Sequence, residues 1–509
     1  MQEQSWAEGY VVDVGYTHGF YRELTPALLR FVTILGEVQA ADVELPFTYY
    51  ELGCGNGNST ALLAAANPHG RFIGIDFNPT HIHNARKLAQ DGGIDNVEFF
   101  EKSFAELIEM DLPDAEVIAL HGVYSWVSTE NRQQIVEFIR RKLKPGGMAY
   151  VSYNCLPGQA QVAPLQRLLL DFADSDKGPL PARVERSIDF ARRLEQAGAD
   201  FFRVNPFAKQ RLGSLGKQDP SYLAHEYYNA NWTPFYHADV AADMADAKLT
   251  YAGSTALLEN FSQFELTPEM AKLVAEASNR AMAETIKDFA RNKVFRKDVF
   301  TRGAPKAAPA ELEALLGRTR FALARPRATC KLTEKTPIGP ITLQAQAYAP
   351  VLDALARAPM TFDELARAPE MNGMNRQQAR QALFGMAALG NVLPALPGSG
   401  EQARRDATAR FNKAVLSPPE TPESTVLASP LLGSGMTISY FDRLFLGGPR
   451  RQAEAVEHAL KALLGSGRKL MKDDKPVDST EVLRTMIEER ATYFFGDLLP
   501  FYRQIGVVD

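Results

Sequence analysis

Cysteine is scarce in this chain, and the three that occur, Cys54, Cys155 and Cys330, lie far apart with no CxxC spacing. That excludes a disulfide framework and a structural zinc site, and it leads to the expectation of a reducing, cytoplasmic location. Long apolar runs are missing too: nothing approaches the roughly 18 uninterrupted apolar residues of a membrane helix. The opening MQEQSWAEGY has no basic segment leading into an apolar core. No membrane insertion is expected. A surplus of one charge is also lacking, and a net charge of -5 sets up no global field toward nucleic acid, so no nucleic-acid partner is expected. The stretch HEYYN at 225–229 ends in asparagine where a zinc-binding HExxH needs histidine, and no metal is expected.

What is present is an ordinary globular composition, 45% hydrophobic and 23% charged over 509 residues. A chain of this length divides into roughly three or four cores. Between residues 47 and 154, β-rich runs alternate with helical ones. FTYYELG, RFIGIDF, NVEFFEKS, EVIAL and MAYVSYN read as strands; NSTALLAAANP (capped by Asn58 or Ser59), THIHNARKLAQDGG and TENRQQIVEFIRRKL read as helices. This alternation predicts an α/β fold with a doubly wound parallel sheet.

Beyond residue 160 the strand signal fades into helical periodicity. The segment SYLAHEYYNANWTPFYHADV, 221–240, is dense in aromatics compared with the 10% of the whole chain. RNKVFRKDVFTR, from Arg291, reads as a solvated helix face. Over 348–395, three helices and the strand NVLPAL resemble a winged helix. Its third helix offers only Arg376 and Arg380, which favours a packing module over a DNA reader. The expected domains are 1–158, a helical and aromatic-rich 159–310, a winged-helix-like 311–400 and a mainly helical 401–509.

Three glycines, Gly53, Gly55 and Gly57, alternate in YYELGCGNGNSTALL directly after the first strand. A dinucleotide turn would read GxGxxG and a P-loop would carry Lys followed by Ser or Thr; neither is here. An acid, Glu51, stands two residues before the first glycine, suiting a ligand with an ammonium group in place of a pyrophosphate. S-adenosyl-L-methionine is such a ligand.

ELGCGNG resembles the first motif of class I methyltransferases, GIDFNP their acidic ribose-binding motif, and LKPGGMAYVSYN their late helix-to-strand turn. WAEGYVVDVGYTHGFYREL, HGVYSWV, HEYYNANWTPFYHADV and FRKDVFTRG are similar to bacterial methyltransferases with a methyltransferase regulatory domain, the rickettsial protein lysine methyltransferases among them. The resemblance implies a Rossmann-like catalytic domain followed by mostly helical domains, S-adenosyl-L-methionine as cofactor and, more loosely, a protein substrate.

Carried onto this sequence, the resemblance gives Gly53, Gly55 and Gly57 for close backbone approach, Glu51 for the methionine amino group and Asp76 for the ribose. Phe77, Ser103 and Phe104 are expected near adenine, where the family's acid is replaced by Lys102. His121 and Tyr21 are expected against the cofactor. Tyr124 and Trp126 either wall an alkylammonium acceptor or pack the sheet edge, and Tyr16 and Asn154 are further candidates on the acceptor side. The expected activity is N-methylation of protein lysine. Methylation of a small molecule or glycan hydroxyl, or a non-catalytic sensor, are the alternatives. A homodimer built through residues 160–300 is also expected.

Overall fold

A computed structural model of the chain describes residues 19–215, 218, 220–417, 424–472 and 475–508. A seven-stranded sheet organises it. Helix α1 (Pro26–Leu35) precedes β1 (Phe47–Leu52), followed by α2 (Asn58–Ala66), β2 (Gly70–Asp76), α3 (Pro79–Asp91) and β3 (Val97–Glu101). The unit continues with α4 (Phe104–Ile108), β4 (Ala115–Leu120), α5 (Thr129–Lys142) and β5 (Leu143–Asn154). These five strands are parallel, in the order β3-β2-β1-β4-β5. The order reverses between β1 and β4, so the loops after those strands open a crevice at the carboxyl edge.

The sheet does not end at residue 154. Strands β6 (Leu249–Ser254) and β7 (Phe295–Arg302) complete it in the order β5-β7-β6, with β7 antiparallel to both neighbours. Two strands from the region expected to be a separate helical domain are therefore structural members of the catalytic sheet. Most of the segment expected as a solvated helix, Phe295–Arg302, is instead strand, with Arg296 1% exposed and Asp298 0%. Its charges satisfy one another. Arg296 donates to Asp298 (Nε, 2.9 Å), Asp288 (Nη1, 2.7 Å) and Glu284 (Nη2, 3.0 Å). Asp298 also accepts from Tyr153 Oη (2.7 Å) and lies 3.0 Å from His237 Nδ1. Burial pushes the Asp298 carboxyl upward, but Arg296 and His237 outweigh it and hold the group well below its ordinary range.

Helix α2 is buried all round, from Ser59 to Ala66, because it is covered twice. The sheet lies on one side. On the other pack the helix Glu401–Leu416 and the hairpin of Ser424–Ser429 with Ser434–Ser439. Phe411 and Ala428 join Ala61, Leu62 and Ala65 in one apolar cluster, and Asn67 Nδ2 donates to Gly433 O at 2.9 Å. The small side chains of ALLAAA permit this approach on both faces.

Packed on α1, Ala345–Arg357, Phe362–Leu365 and Arg376–Ala388 form helices beside a small antiparallel sheet of Arg320–Leu323, Met360–Thr361 and Val392–Ala395. Arg376 pairs with Glu313 and Asp363, and Arg380 with Glu313. The two arginines of the third helix are thus engaged within the chain. Among the described residues no helix is long and apolar enough to cross a membrane.

Candidate active site

The carboxyl edge of the sheet encloses a cavity of about 120 Å³. Its walls come from the four loops that follow β1 to β4, together with residues ahead of α1. Glu51, Gly53, Gly55, Asp76, Phe77, Ser103, Phe104, His121, Trp126 and Tyr21 all line it. These are ten of the residues singled out from the sequence, drawn from segments spread over more than a hundred positions.

The glycine loop is held by the neighbouring strand. The amides of Gly53 and Cys54 both donate to Ile75 O, at 2.8 and 2.9 Å, and the Gly55 amide donates to Asp76 Oδ2 at 2.9 Å. At Gly53 φ is +71°, and a Cβ there would meet Val123 Cγ2 at 2.5 Å. Only glycine combines that backbone with that approach. Gly57 serves differently from expectation. It caps α2 with φ +70°, in place of Asn58 or Ser59, and a Cβ would strike Ala85 and Phe99, so it seats the helix on α3 and β3 instead of facing the cavity.

Glu51 is 4% exposed, accepts from Thr60 Oγ1 at 2.5 Å and has no ion-pair partner among the described residues. Burial raises its carboxyl to about 7; the Thr60 bond opposes this and the nearby Asp76 charge adds to it. Asp76 has a different environment, since Oδ1 accepts from the Asn78 amide at 2.9 Å and lies 3.3 Å from His81 Nδ1. His121 Nδ1 lies 2.9 Å from Tyr150 Oη, and its ring sits 3.9 Å from that of Tyr21. Desolvation of the imidazole brings it down to about 4, and the Glu23 charge offsets only part of this. The ring is neutral at physiological pH. Ser103 lines the cavity, but its hydroxyl is occupied in a capping box with Glu106 at the start of α4.

Tyr124 and Asn154 fall elsewhere. Tyr124 is fully buried and does not line the cavity, donating to Asp243 Oδ2 at 2.6 Å; β4 ends at Leu120, and residues 123–126 form a turn, with the Trp126 amide donating to Val123 O at 2.8 Å, in which strand alternation no longer holds. The Asn154 carboxamide accepts from Gln159 Nε2 at 3.2 Å and does not line the cavity. Tyr16 lies outside the described residues. Conversely, His81, Asn56, Ser128 and Asn131 line the site without having been singled out. His81 carried a usable signal, standing one turn into the helix that follows the Asp76 motif.

The comparisons with known proteins agree with this geometry. Residues 47–187 match the family described as "Methyltransferase domain", and 219–302 match "Predicted methyltransferase regulatory domain". An uncharacterized protein of Synechocystis sp. is 37% identical over 504 residues, covering 99% of this chain and 100% of its own length. The chain belongs to the methyltransferases that carry a methyltransferase regulatory domain. This methyltransferase is also similar to an uncharacterized protein of Rickettsia prowazekii, 27% identical over 292 residues, which are 56% of this chain and 51% of that protein. Its fold is shared with PKMT2 from Rickettsia typhi, solved in complex with AdoHcy, at TM-score 0.68 and 18% identity over 96% of this chain and 99% of that one.

The cofactor of the methyltransferase is S-adenosyl-L-methionine. The residues present fit it. Glu51 lines the cavity as a buried carboxylate without a cationic partner among the described residues, where an ammonium group would compensate its charge. Phe77 and Phe104 also line it, supplying apolar side chains, together with Lys102 and Ser103.

Proposed function

We propose that this methyltransferase N-methylates lysine side chains of a protein substrate. S-adenosyl-L-methionine, when bound, supplies an electrophilic methyl group; the protein's task is to align an acceptor and exclude water. In this reading Glu51 takes the methionine ammonium, Asp76 the ribose, and Gly53 and Gly55 give the backbone clearance. Trp126, 8% exposed at the cavity wall, offers a ring face to an alkylammonium. The observation that carries the choice of an amine is the setting of His121, whose Nδ1 is engaged by Tyr150 Oη at 2.9 Å and whose ring is covered by Tyr21 at 3.9 Å. With its imidazole held at about 4, it is a weak acceptor for a hydroxyl proton. An amine attacks through its own lone pair and needs only to arrive neutral. Free lysine with a pKa near 10.4 is neutral about once in 2,500 molecules at pH 7, and an apolar wall favours that form. The likeness to PKMT2 along nearly the whole chain supports a protein acceptor, as does the length of chain beyond the sheet.

The test is incubation of the protein with cell extract and methyl-labelled cofactor, then separation into protein and small-molecule fractions. Label on lysine in the protein fraction is expected. Label confined to small molecules or glycans would overturn the acceptor class, and no turnover with intact cofactor binding would favour a sensor.

A further inference from the structure

None of residues 219–302 lines the cavity among the described residues, so any influence of the regulatory segment on the site has to pass through an element that does. One such element is the loop 121–127. Its inner side carries His121, Gly122, Val123 and Trp126 to the cavity. The outer side is tied to the regulatory segment at several points. Tyr124 Oη donates to Asp243 Oδ2 at 2.6 Å, the Thr233 amide donates to Ser125 O at 2.8 Å, and the Trp126 and Trp232 rings lie 6.2 Å apart. Phe235 stands 5.5 Å from the Tyr124 ring and bridges the end of β5, its amide donating to Asn154 O at 2.9 Å. The helix His237–Asp246, which bears Asp243, is anchored at its first residue by the buried Asp298.

We infer that Asp243 is a positioning residue for the active site, acting through Tyr124 to hold the loop 121–127 in the form that shapes the cofactor cavity. The regulatory segment thereby serves as the outer brace of the catalytic loop. A hydroxyl to carboxylate bond belongs to the stronger class, and Tyr124 is buried, so losing its partner leaves a phenol unpaired. This rests on the cavity being the cofactor's.

The test uses the full chain with S-adenosyl-L-homocysteine as probe in calorimetry, and acrylamide quenching of tryptophan in a Trp6→Phe background, which leaves Trp126 and Trp232 as reporters. Asp243→Ala is expected to weaken binding about tenfold and to raise quenching. Asp243→Asn, whose amide oxygen still accepts from Tyr124, is expected to restore both. Tyr124→Phe, which removes one oxygen atom and keeps the ring, should match Asp243→Ala, and the Tyr124→Phe, Asp243→Ala double variant should be no weaker than either alone. Additive losses, or wild-type binding and quenching in Tyr124→Phe, would overturn the inference, and the second outcome decides even if Asp243→Ala fails to fold. Absence of binding by the wild type would overturn instead the assignment of the cavity, and with it this inference.

Discussion

Replacing Glu51 by glutamine sets stability against function in one side chain. The carboxyl is raised to about 7 from an ordinary 4.5 because it is buried without a cation. The folded protein therefore binds this proton more tightly than the unfolded chain does. Its stabilising contribution is complete below the ordinary value and is lost as pH rises through about 7. At 1.36 kcal/mol per unit, the ionised group costs the ligand-free protein about 3 kcal/mol at pH 8 and less than about 1 kcal/mol at pH 5. Glutamine keeps the shape and still accepts from Thr60, but it never ionises. Urea unfolding of both proteins at the two pH values should show Glu51→Gln more stable by about 3 kcal/mol at pH 8, with the gap shrinking toward pH 5. Calorimetry should show S-adenosyl-L-homocysteine binding weakened about a hundredfold, because the buried acceptor for its ammonium has lost its charge. A variant less stable than wild type at pH 8, or one that binds normally, would refute the reasoning.

Three further outcomes follow from the same site. Gly55→Val should abolish cofactor binding in calorimetry, since φ +52° disfavours a branched residue and the side chain would enter the cavity its backbone lines. Trp126→Ala should cut turnover on the protein acceptor at least about tenfold while changing cofactor affinity less than about threefold, as read by initial rates and calorimetry. Light scattering at micromolar concentration should give twice the chain mass of 56.2 kDa, with Phe289→Glu shifting it toward the monomer, because Phe289 is 58% exposed and its ring stacks on the half-exposed Tyr236.

The parallel half of the sheet was legible because its strands are apolar runs between helices of regular period, and the glycine turn and Asp76 fall at their ends. Strand β7 was hidden by its own charges. Arg296 and Asp298 sit on inward positions where periodicity predicts apolar residues, and they are tolerated there because Asp288, Glu284 and His237 complete the pairing. Those partners come from helices that sequence alone does not bring together. The loop HGVYSWV was placed at the correct edge, yet which of its aromatics faces inward depended on the turn over 123–126, closed by the Trp126 amide on Val123 O, a local fold with no periodic trace. Gly57 illustrates the reverse case: its presence in the motif was plain, while its purpose lay in the close seating of α2 against Phe99.

The double covering of α2 bears on how the chain is made. The helix that follows the glycine loop emerges from the ribosome early, but the first residue of the helix that covers its outer face, Glu401, lies 335 positions after Ala66. At the usual 5–20 residues per second that interval is on the order of tens of seconds. Throughout it, Leu62 and the alanines around it lack their outer cover. Emergence of residues 401–439, not completion of the sheet at Arg302, is therefore the event that closes the catalytic half.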